Sequence, residues 1–86
     1  MTPSPPTVRL YARPDCHLCD EARAGLERML ADGTVFELEE VDIDGDDELL
    51  RRYLERIPVI ELDGEVVSDL ALDADSLRSR LATLSR

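Results

Sequence analysis

The segment RPDCHLCDEA, residues 13–22, holds both cysteines and the one histidine of the chain. Three chemistries use such residues: metal binding, a covalent staple, or electron exchange through a disulfide. A closed zinc site takes four ligands. This segment offers Cys16, Cys19 and His17, and no second CxxC or histidine follows. A bridge across two intervening residues closes a very small loop and removes little unfolded-state entropy. The spacing suits the third chemistry, because side chains three apart on a helix are neighbours. Cys16 stands where a strand gives way to a helix, and there unpaired backbone N–H groups and the positive end of the dipole favour a thiolate. The thiolate is the nucleophilic form. Cys19, one turn further in, should be the more buried of the two. That asymmetry makes Cys16 the attacking thiol and Cys19 the resolving one. Arg13 adds positive potential, and Asp15, Asp20 and Glu21 oppose it. His17 is read two ways: as an exposed spacer, or as a cation that tunes the thiolate and makes the pair more oxidising. Inert buried cysteines, and a metal shared between two subunits, remain open.

The elements around this segment must supply that junction. Val8–Ala12 (VRLYA) alternates and is rich in strand formers. Leu18, Ala22, Leu26, Met29 and Leu30 then recur at helical spacing, with Gly33 as the stop, so a helix is expected over about Cys16–Ala31. Val35–Ile43 (VFELEEVDI) has an imperfect period of two and is assigned as a strand. Asp44-Gly45-Asp46 is a turn and helix cap, followed by a short helix over Glu48–Arg56 with an acidic start and arginine-rich end. Pro58–Leu62 and Glu65–Ser68 are strands joined by Asp63-Gly64, a strong hairpin signal. Asp73 or Asp75 caps a last helix in which Leu77, Leu81 and Leu84 share a face. The order β-α-β-α-β-β-α begins with a parallel crossover and ends in an antiparallel hairpin. It predicts an α/β fold: a four-stranded mixed sheet with helices on both faces.

With 86 residues and 43% hydrophobic composition the chain suits one small globular domain, residues 8–86, behind a flexible tail over residues 1–7 that contains three prolines. The formal net charge of -10 disfavours nucleic acid and anionic membranes. No apolar run approaches the ~20 residues of a membrane span. The N-terminus lacks the basic start and apolar stretch of a signal peptide, so a cytoplasmic location is the default expectation. In a reducing cytosol a structural disulfide is not expected. The acidic stretch Glu37–Asp47 is read as a solvated face.

Ile57-Pro58 is the second point of interest. Proline opens a strand without cost to the ladder. It stands here either as an ordinary trans residue, or as a cis bond facing the cysteine turn and exposing the backbone of Ile57 to a bound chain.

Arg13-Pro14-Asp15-Cys16-His17-Leu18-Cys19, with Val41-Asp42-Ile43-Asp44 and Ile57-Pro58-Val59, resembles the small bacterial glutaredoxin-like family, many of whose members were catalogued as a domain of unknown function. The resemblance runs from about Val8 to Leu84. It implies a thioredoxin fold of the short glutaredoxin type, and dithiol–disulfide exchange in cell redox homeostasis through a redox-active Cys16–Cys19 pair. It makes Cys16 the nucleophile, Cys19 the resolving thiol, Pro58 a cis proline and Ile57 a residue whose backbone meets substrate. Arg13 matches a basic position that helps hold the glycyl carboxylate of glutathione. Two departures stand out. His17-Leu18 replaces the usual Pro-Tyr, and Ser68-Asp69 replaces a Gly-Gly pair that clasps glutathione. The expected activity is that of a monomeric disulfide oxidoreductase with no bound cofactor. Its partners would be a disulfide-containing protein or low-molecular-weight disulfide and an external reductant, with glutathione or another small thiol open for that role. The alternative is a non-enzymatic module that binds an iron–sulfur cluster or senses redox state.

Overall fold

The computed structural model describes residues 4–84. Four strands, β1 (Thr7–Ala12), β2 (Glu37–Asp42), β3 (Val59–Leu62) and β4 (Glu65–Asp69), form one sheet in the order β2-β1-β3-β4. β1 runs parallel to β2 and antiparallel to β3, and β3 runs antiparallel to β4. The helices are α1 (His17–Ala31), α2 (Asp47–Tyr53) and α3 (Ala74–Leu84). This is the mixed α/β architecture that the order of elements predicts.

Alternation in the strands sorts side chains between two layers. Val8, Leu10 and Ala12 of β1 join Ile60 and Leu62 of β3 beneath α1 and α3, whose Leu26, Met29, Leu77 and Leu81 complete the larger core. On the opposite face Tyr11 and Val59 meet Ile43 and Tyr53, with Leu49 and Leu50 of α2 against them. Fully burying a Leu or Ile contributes about 1.5–3 kcal/mol, and Leu10, Leu26, Ile60 and Leu77 are all completely enclosed. The central strands β1 and β3 are therefore anchored from both sides.

Local chemistry sets the element ends. α1 stops in a Schellman arrangement: Gly33 N–H donates to the Leu30 carbonyl and Thr34 N–H to that of Met29. Gly33 supplies the required left-handed backbone, with φ of +96°. Asp63 and Gly64 both have positive φ, the type I′ pattern that suits a two-residue hairpin. Asp46 caps α2 by accepting from the N–H groups of Glu48 and Leu49, and Asp73 caps α3 by accepting from that of Ser76.

The differences from expectation are local. β2 begins at Glu37 and ends at Asp42, because Ile43–Gly45 coils into a 3₁₀ turn braced by Asp42, whose carboxylate accepts from the Asp44 N–H. α2 ends at Tyr53, three residues early, in tight turns where Arg56 and Ile57 N–H both donate to the Tyr53 carbonyl. Of the tail expected over residues 1–7, positions 1–3 lie outside the described residues and Thr7 opens β1. Among the described residues no helix is long and apolar enough to cross a membrane.

Candidate functional site

The strand register gathers the residues of interest at one end of the sheet. Ala12 is opposite Asp42, Tyr11 opposite Val59, and Val59 opposite Asp69. The segments 13–16, 43–44, 57–58 and 69–70 therefore leave or enter the sheet at the same edge. α1 starts there too, and Cys16 is its N-cap, with extended backbone at φ -105° and ψ 105°. The Cys16 Sγ accepts the Cys19 N–H at 3.2 Å, as a capping oxygen would. Cys19 is completely buried, packed into the larger core, whereas Cys16 is half-buried at its margin. The two are joined as a disulfide with Cα atoms 5.2 Å apart. Asp15, just before the cap, has left-handed backbone at φ 59°, a conformation Asp tolerates better than most residues.

The Ile57–Pro58 peptide bond is cis. Pro58 is fully buried, and Ile57 packs between the two cores. The Ile57 N–H is engaged by the Tyr53 carbonyl at 3.0 Å.

Arg13 and His17 both have partners. Arg13 Nε lies 2.7 Å from Asp44 Oδ1. The buried Nε makes no hydrogen bond, so the contact is an ion pair. His17 is 86% exposed and its Nε2 faces Glu21 Oε1 at 3.3 Å on the outer side of α1. Its partner among the described residues is thus a carboxylate four positions along. Leu18 is exposed beside the pair. No three His, Cys, Asp or Glu side chains cluster as metal ligands would among the described residues.

Several residues at this end escaped the sequence reading. Asp44 belonged to the stretch read as a solvated face, yet it holds Arg13, and from the same stretch Glu40 pairs with Arg23 and Glu39 with Arg9. These contacts were available in principle, since parallel pairing of β1 with β2 carries Arg13 and Asp44 to one edge. Asp69 Oδ2 accepts from Arg56 Nε at 2.9 Å, and the Leu70 N–H donates to the Arg56 carbonyl at 2.9 Å. Leu70 has left-handed backbone at φ 65° and is 54% exposed. On the α2 face, the buried Glu61 accepts hydrogen bonds from Tyr11 and Tyr53 at 3.0 and 3.4 Å. Burial raises the Tyr11 phenol above its usual range.

A four-stranded mixed sheet with a disulfide-forming pair at the first helix cap and a cis proline at the start of the third strand defines a thioredoxin-fold protein. The chain belongs to the glutaredoxin-like domain family (DUF836), whose model matches residues 7–82. It is similar in structure to protein Ne2328 from Nitrosomonas europaea, with 34% identity and a TM-score of 0.78 over 93% of this chain and 95% of that one. The X. campestris protein XcR50 is 36% identical, with a TM-score of 0.70 over 88% and 96% of the two chains. A mutant thioredoxin from Halobacterium salinarum shares the fold at 23% identity and a TM-score of 0.67, over 96% of this chain and 77% of that one. No curated protein matches the chain.

Proposed function

We propose that this protein is a thiol–disulfide oxidoreductase that works by dithiol–disulfide exchange. The observation that carries the reading is the asymmetry of the pair: Cys16 caps α1 at the surface, and Cys19 is wholly enclosed behind it. In the reduced protein the N–H groups at the start of α1 face the Cys16 sulfur and favour negative charge on it. The Cys16 thiolate attacks a substrate disulfide, forming a mixed disulfide and expelling one substrate thiolate, which takes up a proton. Cys19 then gives up its proton and attacks the Cys16 sulfur, releasing the second substrate thiol. Two electrons and two protons pass to the substrate, and the pair is left oxidised. An external thiol or dithiol of the cell returns the electrons.

The substrate chain would lie along the half-buried Ile57, which enters the sheet at the same end as the pair. The reaction needs no bound cofactor. The test is to prereduce the protein, add a neutral disulfide, and follow both thiol release and protein mass. Wild-type protein should release two thiols per chain and lose two hydrogens. Failure to reduce the disulfide sinks the proposal.

A further inference from the structure

Arginines at the redox end of the sheet could recruit anionic substrates, but each already has a carboxylate within ion-pair distance. Arg13 faces Asp44 at 2.7 Å, and Arg56 faces Asp69 at 2.9 Å. Arg23 is held between Asp20 and Glu40. Asp15, next to the nucleophile, is exposed and has no ion-pair partner among the described residues. Leu18, between the two cysteines in sequence, and Leu70, next to Asp69, are apolar and 47% and 54% exposed. The electrostatic surface beside the disulfide is thus neutralised or negative, with hydrophobic contact points. The backbone anchors are also partly used: Tyr53 takes the Ile57 N–H and Leu70 takes the Arg56 carbonyl. A tripeptide with two carboxylates has little apolar surface to bury, so it depends on such anchors and on free cations.

We propose that the neutralised arginines of the Arg13–Asp44 and Arg56–Asp69 pairs set the site against glutathione disulfide, and that the unpaired Asp15 beside Cys16, with exposed Leu18 and Leu70, sets it toward disulfides in polypeptides with basic and apolar flanks. The inference rests on the thiol–disulfide reading and names the substrate of that site. Charge complementarity of this kind acts mainly on encounter and on rejection of wrong partners. Both pairs are partly exposed, so salt should screen the effect.

The experiment compares prereduced wild-type protein on four disulfides: a peptide with Lys flanks, the same peptide with Glu flanks, glutathione disulfide, and neutral bis(2-hydroxyethyl) disulfide. The electrons come from the Cys16–Cys19 dithiol, so one turnover suffices. The Lys peptide should react about tenfold faster than the Glu peptide at low salt, with the gap closing near 1 M salt. Asp44→Asn and Asp69→Asn each free an arginine, and should raise the rate of glutathione disulfide relative to the neutral one. The ratio is the readout, so a loss common to both substrates cancels. Equal peptide rates, or ratios unmoved in both variants, overturn the inference while leaving the redox reading intact. Failure to reduce the neutral disulfide overturns the redox reading, and this inference with it.

Discussion

The backbone N–H of Cys19 donates to the Sγ of Cys16 across 3.2 Å, so one cysteine caps the helix in which the other is buried. The two positions should therefore respond differently to the same substitution. Cys16→Ser keeps a capping oxygen at the helix start, and should fold normally yet lose disulfide reduction entirely. Cys19→Ser leaves the nucleophile in place, and should accumulate a one-to-one mixed disulfide that intact-protein mass spectrometry detects. It also puts a hydroxyl into an apolar site, so its melting temperature should fall further than that of Cys16→Ser. Full activity in Cys16→Ser would refute the assignment of roles.

Glu61 is a carboxylate inside a central strand, kept there by Tyr11 and Tyr53, with Arg9 4.0 Å away. A hydrogen bond to a charged group contributes about 1.5–3 kcal/mol. Tyr11→Phe should cost about that much in denaturant unfolding at neutral pH. The phenol of Tyr11 is raised because burial penalises its ionised form. The folded state therefore holds this proton more tightly than the unfolded one. That contribution is intact below the unfolded value of 10.0 and is lost as pH rises beyond it. Wild-type stability should decline above about pH 10, and the decline should be shallower in Tyr11→Phe. A parallel decline in both proteins would rule out Tyr11 as its source.

How much of this was legible in the sequence depends on the range of the interaction that decides it. The strand-to-helix junction at Cys16 and the Asp63-Gly64 hairpin are written in adjacent residues, and both are where the pattern places them. The end of α2 was not legible. Leu54 and Arg56 continue a helical pattern, but buried Pro58 and the Tyr53 carbonyl, which gathers two N–H groups, stop the helix at Tyr53. The pairing of Arg13 with Asp44 was hidden for another reason. It joins residues that only the β1–β2 register brings together, and Asp44 in isolation looks like a solvated surface charge. Glu61 in PVIEL carries no local sign of burial. Its burial follows from β3 lying inside the sheet with α2 above it.

Asp73 caps α3 with both carboxylate oxygens, accepting from the Ser76 N–H at 3.1 Å and its hydroxyl at 2.8 Å. The hydrogen bond from the Ser76 backbone is the main reason its carboxyl is held below the ordinary value of 3.8. A depressed folded value gives stability that is present above the unfolded value and lost as pH falls through the folded one. The acid limb of the stability curve, below pH 3.8, should therefore carry a contribution from this cap. Asp73→Ala should lower the melting temperature at neutral pH and flatten that limb. Asp73→Ser, which retains a capping acceptor without the charge, should recover most of the neutral-pH loss but not the pH dependence. If Asp73→Ala leaves the acid limb as steep as wild type, the cap is not its source.

Gly45 and Gly64 both stand in open space but differ in backbone. A Cβ added at Gly45 or at Gly64 would meet nothing within 4 Å, and only Gly64, at φ +92°, lies in the left-handed region. Packing is thus removed as a variable, and the difference between the two substitutions measures backbone strain alone. Left-handed backbone costs an L-residue roughly 1–2 kcal/mol, so Gly64→Ala should destabilise by about that amount. It should also loosen the hairpin whose far end, at Asp69, holds Arg56. Gly45→Ala meets no such penalty and reduces the freedom of the unfolded chain, which favours the folded state by about 0.4–1 kcal/mol. Urea unfolding of the two variants side by side should give shifts of opposite sign. Shifts of the same sign and size would mean that the turn at Gly64 relaxes to a form that accepts a side chain.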